Sequence, residues 1–232
     1  MTRALCETEA LSMGAASPRA RDAALRNSLG NFTTIRNGTI RLVDHLSEEQ
    51  AGYKPDRHTW SVAQILDHLL LFEALYRTQI GRMLDAAREG TRSNIDVGLG
   101  ELDLSIPFVP KVLMPMIELP LTVMNLFVPS ALREALLRFP IVKAKNPRVS
   151  EPAPARPVAE LREQLGSSLA ETEALLAEPL PRRAARVTLS HPLLGRNTIA
   201  NIFGLVAAHE ERHGIQISRL LRQPGFPAGR TL

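Results

Sequence analysis

Residues 197–225 read NTIANIFGLVAAHEERHGIQISRLLRQPG, and this stretch decides the fold. Ile202, Val206, His209, His213, Ile217 and Leu220 recur at steps of three and four. That is the apolar face of an amphipathic helix. The helix is expected to start at Asn197 or Thr198 and to run to about Gln223, where Pro224-Gly225 stops it. Two imidazoles interrupt the stripe, stacked one turn apart, about 6 Å along the axis. The helix therefore needs a packed partner face, and it carries titratable nitrogen into that face.

The same spacing appears three more times. Ser17-Pro18 places a capping hydroxyl before a first-turn proline. Leu25, Leu29, Phe32, Ile35, Leu42, Val43 and Leu46 follow at near-helical spacing, across Gly30 and Gly38. This first helix is expected to end near Leu46, with Ser47-Glu48-Glu49-Gln50 and Lys54-Pro55 beyond it as turns. Ser61 with Gln64 is a capping box opening a second helix. Its stripe is Val62, Ile65, Leu69, Phe72, Tyr76 and Ile80, and Gly90 stands where a helix-ending glycine belongs. A third long helix spans about 157–178, with Leu161, Leu165, Leu169 and Leu176 inward and Pro179 and Pro181 at its end.

Four long amphipathic helices predict an all-α four-helix bundle. Residues 91–156 do not fit it as an ordinary loop. They hold more than half of the seventeen prolines, with short helices expected over 112–127 and 130–139, and they read as a crossover or a functional cover. The apolar run within 104–139, rich in Leu, Val and Met, is expected to cover the core and pocket, or else to pack against a second copy in a homodimer. No strand is expected. The chain divides into an N-terminal tail, 1–16, a single helical domain, 17–225, carrying the 91–156 insertion, and a C-terminal tail, 226–232.

Composition narrows the function. Hydrophobic residues are 44% of the chain, enough for a sizeable core, and aromatics are only 4%, which argues against a β-sandwich and against base-stacking platforms. The net charge is +4. The positive charge is almost all arginine, spread among glutamates with no run of five like charges, so nucleic-acid binding is not expected. A single Cys6 excludes a disulfide framework and a cysteine-rich metal module. No leader is expected at the N-terminus. Residues 104–128 are apolar but carry Pro107, Pro110, Pro115, Pro120, Lys111 and Glu118, so no transmembrane span is expected. A cytoplasmic protein acting on a small molecule fits these readings.

The chemistry sits in the stripes. His209, His213 and, on the second helix, His68 between Ile65 and Phe72 all occupy inward positions. One buried histidine is ordinarily a hydrogen-bonded core residue. Three are harder to satisfy, because each unpartnered imidazole costs about 1–3 kcal/mol and few polar side chains share their faces. One divalent metal satisfies all three. All-nitrogen ligation suits Zn, Ni, Fe or Cu. Residues 209–213 also match the H-E-x-x-H pattern of zinc hydrolases, which would make Glu210 a general base. No His, Asp or Glu follows His213 to complete that pattern, so it ranks as the weaker alternative. Glu210 points about 100° from the ligand face and is expected at the solvated surface. Gln216, one turn beyond His213, is a candidate to orient a ligand or substrate. Trp60 is expected to pack at a helix start, Ser190 and His191 to shape a loop, and His45 and His58 to lie at the surface.

Trp60-Ser61 followed by His68-Leu69, then His191-Pro192 through Gly195 to His209-Glu210 and His213, resembles the DinB/YfiT-like family across about residues 20–223. The resemblance implies a four-helix bundle, often dimeric, with a metal held by His68, His209 and His213. Gln64 stands where many members have Glu, and it serves the same capping box. Members with assigned chemistry include thiol-dependent transferases and isomerases that use low-molecular-weight thiols. The resemblance thus implies a metal-dependent enzyme, Zn or Ni first, with a low-molecular-weight thiol as cosubstrate. A non-catalytic protein binding metal and a small ligand is the alternative.

Overall fold

The computed structural model describes residues 18–90, 93–97, 152–153, 156–177, 180–181, 183–191 and 195–228. The expectations for the N-terminal tail with Cys6, for the short helices over 112–127 and 130–139, and for the cover formed by 104–139 lie outside these residues. Five helices are present among the described residues: α1 Pro18–Val43, α2 Glu48–Gly52, α3 Val62–Glu89, α4 Val158–Ala177 and α5 Ile199–Leu220. The four long ones form the bundle, and the fold is all-α in class. α1 packs against α5 and α4, and α3 packs against the same two. No helix among the described residues is long and apolar enough to cross a membrane.

The caps explain where the helices begin. The Gln64 amide donates to Ser61 Oγ at 3.2 Å, and the Ser61 amide donates back to Gln64 Oε1 at 3.2 Å. Thr198 and Asn201 repeat the arrangement at the start of α5. α1 continues through Gly30 and Gly38 and stops at Val43, three residues before the expected Leu46. The expected turn after it is instead the one-turn helix α2, opened by a Ser47–Gln50 capping box of its own. α3 ends at Gly90, whose φ of +68° is left-handed. A Cβ there would stand 3.1 Å from Arg183 Nη1, the atom that donates to the Gly90 carbonyl at 3.2 Å. Only glycine meets both conditions without strain.

The absence of strands is corrected. β1 Asn94–Asp96 pairs in parallel with β2 Thr188–His191, which pairs antiparallel with β3 Gly195–Asn197. Strands of three or four residues are too short to show an alternating pattern. Ile95, Val97, Val187 and Leu189 from this sheet and its edges are buried in the core beside α1, α3 and α5.

The core is divided in two. One apolar cluster holds Phe32, Tyr76, Ile80, Met83, Leu169, Phe203 and Val206 with the sheet residues. The other holds Val43, Ile65, Leu66, Leu69, Leu161, Leu165 and Ile217. On every long helix the residues between these sets include buried polar ones: Arg36 on α1, Glu73 on α3, Ser168 on α4, His209, Glu210 and His213 on α5. A polar layer thus crosses the bundle, and the functional site lies in it.

Candidate metal centre

His68 projects from α3, and His209 and His213 from α5. All three are buried, with 1%, 6% and 4% of their surface exposed. Each offers a ring nitrogen, and these atoms lie within 4.8 Å of one another. Among the described residues no other group of His, Cys, Asp and Glu meets this condition. Nε2 of His68 and Nε2 of His209 are 3.2 Å apart. Two nitrogens bound to one tetrahedral zinc at about 2.0–2.1 Å would be about 3.3–3.4 Å apart, so this pair already has the spacing of a ligand edge.

The surroundings orient the rings. His213 Nδ1 is 2.9 Å from Gln216 Oε1. An amide oxygen only accepts, so Nδ1 carries the proton and Nε2 keeps its lone pair for the common point. The Phe72 ring lies flat on His209, 3.7 Å between centroids and 11° between planes. Trp60, half-buried, stands 5.0 Å from His68 and lies nearly parallel to His213 at 6.4 Å. It does pack at a helix start, as expected, but what it packs against is the histidine cluster.

Burial pushes the His209 imidazole well below its ordinary pKa of 6.5, and charge on His213, His68 or Arg212 would push the same way. Burial also takes His213 down to about 3, with His68 and Arg212 adding to it and the Gln216 hydrogen bond opposing. Both rings are therefore neutral near pH 7, the state that ligates metal. The donor set fits a divalent ion, three ring nitrogens from neutral imidazoles being what such an ion takes; Nδ1 of His209, across the ring from the nitrogen facing His68, has no hydrogen-bond partner among the described residues.

Glu210 departs from expectation. It is buried, 1% exposed, not solvated. Arg36 Nε donates to its two oxygens at 2.8 and 3.0 Å, and Arg36 Nη2 donates at 2.9 Å. A general base must reach the water it activates, whereas this carboxylate is closed onto a guanidinium from α1. The weaker zinc-hydrolase alternative loses its base. Arg36 also reaches Glu73 Oε2 at 2.7 Å and the Leu165 carbonyl at 3.2 Å. Glu73 accepts from Ser168 Oγ and Thr172 Oγ1, each at 2.7 Å. Arg36 and Glu73 escaped the sequence reading, although a signal existed. Arg36 is four residues from Phe32, Glu73 four from Leu69 and Glu210 four from Val206, all on apolar registers. His45 and His58 are exposed, as expected.

The model of the DinB superfamily matches residues 31–217, most of the chain. The chain belongs to the DinB superfamily. No curated protein and no solved structure matches it. In this DinB-superfamily bundle the match spans all three histidines, Gln216 and the Arg36 cluster.

Proposed function

We propose that this DinB-superfamily chain is a metal-dependent enzyme in which His68, His209 and His213 hold one divalent ion, Zn or Ni ahead of Fe or Cu, and a small thiol is transferred to an electrophilic or apolar small molecule. The convergence of three buried histidine nitrogens from two helices supports this reading. A divalent ion bound there supplies Lewis acidity and lowers the pKa of a coordinated water or thiol.

The chain's own residues do the rest. Three imidazoles make an incomplete donor set, the pattern of a catalytic site with open positions. Gln216 selects the tautomer of His213. Phe72 fixes the plane of His209. Trp60 and Phe72 lie against the histidine rings and would give a substrate that reaches the ion an apolar surface to pack on. Glu210 takes no part in proton transfer, because Arg36 holds both its oxygens.

The test is elemental analysis of protein purified without added metal, followed by melting with and without chelator for wild type and His209→Ala. Wild type is expected to carry about one equivalent of metal and to lose stability on chelation, since a ligand bound only to the native state stabilises it. His209→Ala should neither bind nor respond. Turnover is then measured with a panel of thiols and electrophiles. Metal binding without turnover overturns the enzyme reading in favour of a binding protein, and an equal chelator response in both proteins places the metal elsewhere.

A further inference from the structure

Two of the three histidines have a buried carboxylate as sequence neighbour, and in both cases an arginine from outside the helix grips it. On α5, Glu210 follows His209 and is gripped by Arg36 of α1. On α3, Asp67 precedes His68 and is 4% exposed. Its Oδ1 accepts from Arg156 Nη1 and its Oδ2 from the Ala153 amide, both at 2.7 Å. Neighbours on a helix point about 100° apart, so each carboxylate is directed well away from its histidine.

We propose that Arg36 is a positioning residue of the metal centre, locking the rotation of the two helices that carry its ligands. The inference rests on the metal reading above. A bidentate guanidinium–carboxylate pair fixes direction as well as distance. Arg36 does so with every nitrogen: Nε and Nη2 to Glu210 on α5, Nη1 to Glu73 on α3 and to the Leu165 carbonyl on α4. One side chain on α1 thereby ties all four bundle helices at the level of the histidines.

Stability alone does not account for the cluster. Buried ion pairs contribute little net stability compared with well-packed apolar residues, and their best-attested use is to set register. The charges are arranged accordingly. Arg36 faces two carboxylates, Glu73 and Glu210, and a second arginine, Arg77, stands 3.6 Å from Glu73 while donating to Ser168 Oγ at 2.8 Å and pairing with Glu171. A slip or rotation of α5 by one residue would leave Glu210 or Arg36 without its partner in the core. The same slip would swing His209 away from His68, whose nitrogens are only 3.2 Å apart. The lock thus penalises the motions that would open the ligand set.

The experiment separates register from stability. The triple variant R36M/E73Q/E210Q replaces the ions by neutral groups of similar size, and R36K keeps the charge but loses the fork. Both are titrated with Co(II) and their visible absorption is recorded, beside far-UV circular dichroism and thermal melting. Folded variants are expected to bind Co(II) at least tenfold more weakly than wild type, with altered band positions that report changed ligand geometry. Wild-type affinity and spectrum in a folded variant would overturn the lock while leaving the metal reading intact. Wild type that fails to bind Co(II) would overturn both. Unfolding of both variants would also overturn the proposal, since the cluster would then be a requirement of the fold itself.

Discussion

Acid should destabilise the metal-free protein between pH 7 and pH 5, because two buried imidazoles resist protonation. His213 is held at about 3 by burial, against an ordinary 6.5, and His209 is depressed for the same cause. As pH falls through 6.5 the unfolded chain takes up a proton on each ring, while the folded chain refuses it. In that window the unfolded state binds more protons, so stability falls as pH falls. The contribution is complete above pH 6.5 and is lost progressively toward pH 3. The limiting slope is about 1.4 kcal/mol per pH unit for each proton. From pH 7 to pH 5 His213 alone then removes about 2 kcal/mol, and His209 adds to the loss. Domains of this kind are stable by about 5–15 kcal/mol, so the effect is large. The assay is urea unfolding in chelator at half-unit steps between pH 7 and pH 5, on wild type and His213→Gln. The variant should show a distinctly shallower dependence. Carboxylates with ordinary pKa values near 4 contribute little in this range. A flat wild-type profile, or equal slopes in the two proteins, would refute the argument that these imidazoles are buried and neutral.

Other outcomes follow from particular contacts. Arg36→Ala leaves Glu210 buried without its counter-charge and Glu73 with Arg77 alone and should cost about 3–5 kcal/mol in urea unfolding; a loss below 1 kcal/mol would show that water reaches the cluster. Gln216→Leu removes the acceptor for His213 Nδ1 and should weaken metal binding about 10–100-fold with little change in circular dichroism, and unchanged affinity in a metal titration would deny Gln216 its role. Ser61→Ala deletes the α3 cap and should lower stability by about 1 kcal/mol without moving metal affinity, which checks that fold and site effects are separable.

The sequence by itself determined what is local. Caps are written in two residues three apart, so Ser61–Gln64 and the Gly90 stop were legible. Helical stripes are written in spacing, so the bundle and the inward positions of His68, His209 and His213 were legible as well. What spacing does not carry is the partner. Glu210 reads as surface when the ligand face is taken as the inward one, and only the approach of α1 shows that a second buried face exists, with Arg36 waiting on it. Trp60 reads as helix-start packing until α5 places His213 beneath its ring. The sheet is completed by β1 pairing with β2 across about ninety residues of chain, and strands of three or four residues have no period of their own. Tertiary structure decided these features because each is a relation between residues distant in sequence. The burial of a charge or the closeness of two imidazole nitrogens exists only once separate helices have met.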